Sequence, residues 1–243
     1  MSKKSLVITI PVLNEEKTLK RQINLLLDFI SINLQAYSVS VVIANNGSVD
    51  STEAIARELA TKNSNIHLVS LNEQGVGLAL KTSWAKYPGD FLGYMDLDLA
   101  TDLSHIRESL SILEDGYADI VNGSRLLKNS RVSKRSLIRT LASKCFNRII
   151  YIAFNSKFTD GMCGFKFYST KKLDSFFKNT FFQSDGWFFA TEFLILADMQ
   201  NFRILEIPIR WTDSETTKVK IIRLSLKYLR EILSLKHRLK SLK

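Results

Sequence analysis

Two aspartates separated by one residue follow an apolar segment in the middle of the chain. Asp96 and Asp98 come directly after residues 91–95, which have the composition of a buried strand. Side chains two apart in an extended segment point the same way, so the two carboxylates are expected to lie together. Hard oxygen ligands of this kind suit Mg²⁺ or Mn²⁺, and such an ion neutralises a diphosphate leaving group. A strand-end turn with two solvated acids is the simpler alternative for this motif taken alone.

Polar residues also follow the first two apolar segments of the chain, at 11–16 and at 45–52. Their amide, carboxylate and hydroxyl groups are able to hydrogen-bond a base and a ribose. When each stretch is taken alone, a helix-capping role for Asn14 and Asp50 is the simpler interpretation. Together with the aspartate pair, the two stretches favour a shared ligand site.

A third group of chemically capable residues is basic. Residues 125–148 carry eight Lys or Arg and no acidic residue. Within them Arg139, Ser143 and Asn147 recur every four residues, so they share one face of a helix predicted over 133–155. Arginine and hydroxyl donors hold a phosphate anion in a defined orientation. A solvated basic helix face is the alternative.

Alternating strand and helix patterns must position these groups. Strands are predicted over 5–10, 39–44, 66–71, 91–96 and 117–122, and helices over 15–34, 50–62, 77–86 and 103–114. Such alternation predicts an α/β fold with a mostly parallel, Rossmann-like sheet flanked by helices. Ligands of these sheets bind at the carboxyl ends of the strands, which is where the polar residues fall. The second half is less regular, with strand-like stretches at 163–168 and 202–210 and a helical stretch at 187–199.

The C-terminal part of the chain is strongly basic. Residues 216–243 carry nine basic residues and one acidic residue, a large share of the net charge of +10 over 243 residues. Helical spacing over 218–240 places four apolar residues on one face: Ile222, Leu226, Leu229 and Leu233. Such a helix either lies in the plane of an anionic membrane or packs on the sheet, and the pattern leaves both open.

Composition bounds the cellular setting. No apolar run approaches the roughly 18 residues needed to span a bilayer, and two cysteines are typical of a reduced compartment. We therefore expect a cytoplasmic protein, peripheral on the cytoplasmic face of a membrane, with the anionic membrane surface as a partner. Nucleic acid is not expected, because the basic segments lack the interleaved aromatic residues of strand-binding grooves.

Five motifs in order resemble those of the family 2 glycosyltransferases of GT-A fold: IPVLNEE, NNGSVDST, MDLDLATD, NGSR and DGMCGFKFYS. The sequence is most similar to the polyprenyl-phosphate sugar synthases, which include the dolichyl-phosphate mannose and dolichyl-phosphate glucose synthases. The likeness covers residues 5–220. It implies a GT-A glycosyltransferase domain over 1–215, followed by a basic amphipathic C-terminal helix over 216–243.

The resemblance implies a metal-dependent, inverting hexosyltransferase that moves a hexose from a nucleotide-diphosphate sugar to a polyprenyl phosphate. It places Mg²⁺ or Mn²⁺ on Asp96 and Asp98, and makes Asp98 and Arg139 catalytic. The nucleotide-sugar site would contain Pro11, Leu13, Glu15, Asn46, Asp96 and Lys218. The acceptor phosphate would meet Arg139 and Ser143, and Arg125 and Arg135 would add to that cradle. Ala100, where mannose synthases carry a glutamine, favours a donor of the UDP-glucose type.

The nature of the acceptor sets the mechanism that we expect. A phosphate is already ionised at neutral pH, so its attack on the sugar needs no general base, and positioning and electrostatics carry the reaction. One alternative is transfer to a glycan hydroxyl, with Asp160 or Glu192 as the base. A second is a non-catalytic nucleotide-sugar-binding relative, because Asn45, Asn46 and Ala100 depart from the usual pattern.

Overall fold

The structure is a computed structural model, and it describes residues 3–213 and 221–241, with side chains over 3–213 and 226–241. The strands are β1 Lys4–Val12, β2 Tyr37–Asn46, β3 Ile66–Leu71, β4 Phe91–Met95, β5 Ile120–Ser124, β6 Arg131–Ser133, β7 Phe165–Ser169, β8 Ile204–Pro208 and β9 Arg210–Thr212. The helices are α1 Leu19–Asn33, α2 Thr52–Lys62, α3 Val76–Lys86, α4 Ser104–Glu114, α5 Leu137–Phe154, α6 Thr170–Asn179, α7 Phe189–Met199 and α8 Ile221–Ser241.

A seven-stranded sheet forms the centre of the fold, in the order β3-β2-β1-β4-β7-β5-β8. Neighbouring strands in this sheet are parallel except for β7, which runs antiparallel to both β4 and β5. Helices cover both faces of the sheet, so β1 carries apolar residues on both of its sides. Leu6, Ile8 and Ile10 face one core with α1, α2 and α4, whereas Val7 faces a second core with the other helices. The predicted α/β fold with a mostly parallel, flanked sheet is confirmed.

The carboxyl ends of the strands bring the predicted site segments to one edge of the sheet. β1 and β2 pair up to Val12 and Asn45, so the loops that follow them are neighbours. β4 lies on the other side of β1, and the residues after Met95 emerge at the same edge. This arrangement is the expected one for ligand sites in parallel sheets.

Three details differ from the sequence-based expectation. Helix α6 was not predicted, because it starts directly after β7 without a Gly or Pro boundary. The strand-like stretch at 202–210 divides after Pro208, and β9 leaves the main sheet to pair with the three-residue β6. β4 ends at Met95, so the aspartate pair lies in a turn, with Leu99 in the left-handed region at a φ of 50°.

The C-terminal helix is present as α8, and it packs against the protein. Tyr228, Ile232 and Leu235 are buried, whereas Leu226 and Leu233 are exposed. The buried face is therefore not the one that the apolar spacing indicated. None of the helices within the described residues has both the length and the apolar character needed to cross a membrane.

Candidate active site

A small pocket lies at the carboxyl end of β4 and contains both predicted metal ligands. Asp96, Asp98, Gly164 and Trp211 line it, among other residues, and we call it the acid pocket. Its cavity volume is ≈ 10 Å³, room for about one water molecule or ion. The turn after β4 thus places the two carboxylates at one cavity, as predicted, although not through strand geometry.

Asp96 is held in place by its neighbours. Tyr94 donates its hydroxyl to Asp96 Oδ1 at 3.1 Å, and the Asp96 N–H donates to the Gly164 carbonyl at 3.2 Å. Burial, followed by the negative charge of Asp98, raises the pKa of Asp96 to about 7. A cation bound between two such carboxylates would offset their mutual repulsion and stabilise both in the charged form.

The residues of the acid pocket fit a divalent cation that shares its coordination with a substrate. Across residues 3–213 and 221–241, no group of three or more His, Cys, Asp or Glu converges on one point. Mg²⁺ typically uses one or two carboxylates and completes its octahedron with water and substrate phosphates. Asp96 and Asp98 match that pattern, so Mg²⁺ or Mn²⁺ would be held jointly with a nucleotide diphosphate.

Gly164 offers a direct test of this pocket. A Cβ at Gly164 would overlap the Asp96 carboxylate, so Gly164→Ala is expected to displace Asp96 and to cost about 1–3 kcal/mol through overpacking. We expect thermal unfolding of this variant to show little of the stabilisation that Mn²⁺ gives the wild type. Gly186→Ala is the control, since the nearest atom to its Cβ would be the flexible end of Lys227 at 3.3 Å. A full Mn²⁺ response in Gly164→Ala would contradict the assignment.

The loops after β1 and β2 interlock on the other side of the site. Asn14, at a φ of 54°, donates its N–H to Ser48 Oγ at 3.0 Å and accepts from the Val49 N–H at 2.9 Å. The Glu15 N–H donates to Thr52 Oγ1 at 2.7 Å. Asn14 therefore ties two loops together and does not cap a helix. Three predicted nucleotide-site residues lie half-buried along this segment: Pro11, Leu13 and Glu15.

The two asparagines that depart from the family pattern have structural partners. Asn45 donates from Nδ2 to Glu53 Oε2 at 3.1 Å and accepts from the Ser48 N–H at 3.2 Å. An aspartate at this position would repel Glu53, whereas the amide binds it. Asn46 is buried, and its Oδ1 accepts from the Gly75 N–H at 2.5 Å. Asn46 thus joins the end of β2 to the start of α3.

The predicted phosphate-binding residues also come together, and we call Arg125, Arg135, Arg139 and Ser143 the basic cluster. Arg135 donates to Ser143 Oγ at 2.6 Å, and Arg139 forms an ion pair with Asp213. Burial, followed by the positive charge of Arg125, lowers the pKa of Arg135 to about 10. Because these neighbouring positive charges repel one another, a bound anion would stabilise them.

Arg125 differs from the other members of the basic cluster in how its donors are used. Its Nε and NH2 bind the two carboxylate oxygens of Asp160 at 2.7 and 2.9 Å, and both side chains are almost fully buried. Burial alone would raise the pKa of Asp160, but the charge and hydrogen bonds of Arg125 lower it. This bidentate pair anchors the cluster, which leaves fewer donors of Arg125 for a ligand.

Trp211 joins the acid pocket to the basic cluster, and the sequence analysis did not place it in the site. Its ring lies 5.6 Å from the guanidinium carbon of Arg125 and 5.4 Å from that of Arg135. The same residue lines the acid pocket and bridges to Thr101. Trp211 lies outside the five motifs that carry the family resemblance, so none of them indicated its place in the site.

Both candidate general bases are held by hydrogen bonds and an arginine within the protein. Asp160 is engaged by Arg125, as described above. Glu192 is buried and accepts from the N–H groups of Gln183 and Ser184 at 2.9 and 2.8 Å, and from Arg238 at 2.9 Å. These hydrogen bonds fix the Glu192 carboxylate in the protein interior, where it has a structural role.

Lys166 is a further charged residue beside the site that the sequence analysis did not assign. It is fully buried on β7, donates from Nζ to the Cys163 carbonyl, and has its pKa lowered by burial. Its charge acts on both Asp160 and Asp96. Its place in the DGMCGFK motif was the available indication. Lys218, predicted to approach the donor phosphates, lies outside the described residues.

Comparisons with known proteins identify what this arrangement is similar to. The sequence profile described as glycosyl transferase family 2 matches residues 7–177. Glycosyltransferase AglD of Haloferax volcanii is 31% identical over 217 residues, which are 89% of this chain and 34% of AglD. Dolichyl-phosphate beta-glucosyltransferase ALG5D of Trichomonas vaginalis is 27% identical over 221 residues, 87% of this chain and 67% of that protein. The chain thus spans only a part of each relative.

A solved structure supports the fold. Glucosyl-3-phosphoglycerate synthase from Mycobacterium tuberculosis, crystallised with Mn²⁺, UDP-glucose and phosphoglyceric acid, superposes with a TM-score of 0.68. The match covers 96% of this chain and 80% of the synthase, at 18% sequence identity. At this identity the likeness supports the GT-A fold and leaves the substrates to other evidence.

Proposed function

The chain belongs to glycosyl transferase family 2, and on this premise we propose that it transfers a hexose from a nucleotide-diphosphate sugar to a polyprenyl phosphate. One observation carries the proposal: a pocket with two carboxylates and a cluster of arginines share Trp211. A leaving diphosphate and an attacking phosphate need these two environments next to each other.

The donor half of the proposal rests on the acid pocket and the loops beside it. Asp96 and Asp98 would hold Mg²⁺ or Mn²⁺, which when bound supplies positive charge to the departing diphosphate. Pro11, Leu13, Glu15 and Asn46 would line the nucleotide-sugar site, with Lys218 near the phosphates. Ala100 and the names of the dolichyl-phosphate beta-glucosyltransferases among the relatives support a UDP-glucose type of donor.

The acceptor half of the proposal rests on the basic cluster. Arg139, Arg135 and Ser143 would hold the lipid phosphate and aim one of its oxygens at the anomeric carbon. Arg125, which is anchored by Asp160, positions Trp211 and adds charge. The phosphate oxygen forms a bond to the anomeric carbon while the bond to the nucleotide diphosphate breaks, with inversion. The acceptor is ionised before it attacks, so the reaction needs no proton acceptor.

The membrane setting belongs to the proposal as well. A polyprenyl phosphate resides in a bilayer, so the protein would work at the membrane surface, on the cytoplasmic face where nucleotide sugars are made. The relatives named for dolichyl phosphate support this acceptor class.

The decisive experiment compares two acceptors that differ only in the phosphate. Protein, Mn²⁺ or Mg²⁺ and a nucleotide sugar are incubated with polyprenyl phosphate or with the matched polyprenol, and the lipid-linked sugar is measured. We expect product with polyprenyl phosphate alone, and more product from UDP-glucose than from GDP-mannose. Transfer to the alcohol or to a glycan would support the hydroxyl-acceptor alternative. Donor binding without any transfer would support a non-catalytic relative.

A further inference from the structure

The outward side of α5 is apolar and faces solvent. Four of its aliphatic side chains have large exposed fractions: Leu137 at 87%, Ile138 at 71%, Leu141 at 64% and Ile152 at 66%. We call these four residues the outer face of α5. The opposite side of the helix holds its buried residues, which are Ser143, Phe146, Asn147 and Ile150. Soluble surfaces seldom present this many large aliphatic side chains along one helix.

Helical spacing makes this surface continuous. Leu137, Leu141, Cys145, Arg148 and Ile152 are three or four residues apart, so they follow one side of the helix. The outer face runs from Leu137 to Ile152 of this helix, so it extends over about 23 Å. Arg148 is exposed on this same line and Lys144 is exposed beside it, and α5 contains no acidic residue. An apolar face flanked only by cations is the pattern of helices that lie in the surface of an anionic bilayer.

The same helix carries part of the basic cluster. Ser143 lies on its buried side and Arg139 in its first turn, so the acceptor-phosphate residues and the outer face belong to one rigid element. Asn147 accepts at Oδ1 from the Gly161 N–H at 2.9 Å and fixes the helix to the loop that contains Asp160. Because both groups belong to one helix, any surface that binds the outer face lies at a fixed distance from the basic cluster.

We propose that the outer face of α5 docks into the surface of an anionic lipid bilayer and thereby presents the basic cluster to lipid phosphates. The proposal rests on the proposed function for the choice of acceptor, but the docking itself is a separate property. It assigns membrane contact to α5 in place of the C-terminal helix. α8 packs against α5 through Tyr228, whose ring lies edge-on to that of Phe146 with centroids 4.9 Å apart. Within residues 226–241 it exposes two large aliphatic side chains, Leu226 and Leu233, against four on the outer face of α5.

Charge argues against a second copy of the chain as the occupant. In a two-fold dimer each α5 would meet its symmetry mate, which would bring Lys144 and Arg148 near the same residues of the other copy. With no acidic residue on the helix, these like charges would repel. Anionic lipids satisfy the apolar and the cationic side chains together.

Vesicle binding tests the proposal on the full chain. The variant Leu137→Ser/Leu141→Ser/Ile152→Ser changes only exposed side chains, so folding is preserved. We expect its partition onto vesicles of phosphatidylcholine with phosphatidylglycerol to fall about tenfold or more relative to the wild type. Leu226→Ser/Leu233→Ser removes two exposed leucines of α8, and Ile32→Ser removes one from α1. Both controls should bind as the wild type does.

Three outcomes would overturn the proposal. They are unchanged vesicle binding of the α5 variant, an equal loss in the α8 control, and a wild-type dimer in light scattering that the α5 variant converts to a monomer. A second assay separates docking from transfer. With a short-chain, water-soluble prenyl phosphate the α5 variant should match the wild type, and with long-chain acceptor in vesicles it should be slower. A wild type inactive with both acceptors would refute the proposed function and leave the vesicle-binding result standing.

Discussion

Asp96→Asn is expected to abolish sugar transfer and, at pH 8 without metal, to make the protein more stable. Transfer should fall roughly 10³-fold or more, because the variant loses a proposed metal ligand that would help to neutralise the leaving diphosphate. Stability should rise because the asparagine relieves a buried charge that Asp98 repels. Its amide oxygen still accepts from Tyr94. Each kcal/mol of relief raises the unfolding midpoint by roughly 2–4 °C.

The sign of the pH dependence follows from the raised pKa of Asp96. An ordinary aspartate has a pKa of 3.8, and folding raises that of Asp96 to about 7. Between these values the folded protein holds a proton that the unfolded chain has lost, so metal-free stability falls as the pH rises from 3.8 to about 7. Mn²⁺ competes with this proton, so its stabilising effect should grow over the same range. Asp96→Asn should lose both trends.

Asp102→Asn provides a matched control a few residues away. Asp102 is paired with Arg210, whose Nε lies 2.9 Å from Oδ2, and this hydrogen bond lowers the pKa of Asp102. The control should therefore be slightly less stable at pH 8 and should keep the full Mn²⁺ response. Thermal unfolding between pH 5 and 8.5, with and without Mn²⁺, measures both variants. If Asp96→Asn kept the wild-type response to Mn²⁺, the metal assignment would be wrong.

Removal of Arg139 is expected to impair use of the acceptor and to spare donor binding. Because Arg139 forms an ion pair with the buried Asp213, Arg139→Ala alone would leave an uncompensated charge. Arg139→Ala/Asp213→Asn avoids this effect. We expect kcat/KM for polyprenyl phosphate to fall about 10²-fold through the lost charge-assisted hydrogen bonds. The Kd for the nucleotide sugar should change by less than about twofold, because Arg139 does not line the acid pocket.

A distant arginine–aspartate pair controls for general destabilisation. Arg203 binds Asp119 through two hydrogen bonds of 3.2 and 2.7 Å at the far end of β8. Arg203→Ala/Asp119→Asn should leave both donor binding and transfer near the wild-type values. Calorimetric titration of the donor and initial rates against acceptor concentration separate the two effects. If the Arg139 variant lost donor affinity as strongly as it lost acceptor use, Arg139 would belong to the donor site or would serve only the stability of the fold.

Much of the fold could be predicted, because the physical cause of each element is local. Apolar β-branched runs mark the five strands up to Ser124, and helical spacing marks the helices between them. Because the carboxyl ends of parallel strands meet at one edge of the sheet, Asp96 and Asp98 were expected at the edge where Glu15 and Asn46 also lie. The spacing of Arg139 and Ser143 predicted one helix face correctly. These inferences succeed because they depend on neighbours within one or two turns of chain.

The rest depends on partners that are distant in sequence. Periodicity indicates which residues of α5 share a face, but not which face the protein buries, since both sides carry large aliphatic residues. The pairing of Arg125 with Asp160 joins residues 35 positions apart. Trp211 reaches the site only because β9 pairs with β6, a strand of three residues with no recognisable pattern. No local rule predicts such long-range contacts.

The position of β9 connects the two proposed substrate sites through a single strand. On one side Thr212 donates its N–H to the Ala100 carbonyl beside the acid pocket, and on the other Trp211 contacts two arginines of the basic cluster. A ligand that shifts this strand from one side changes the affinity on the other side. Thermodynamic linkage requires that each ligand change the affinity for the other by the same factor. If the donor increases the affinity for the lipid by a given factor, the lipid increases the affinity for the donor by the same factor. When this factor is greater than one, the complex with both ligands is favoured over the complex with either ligand alone.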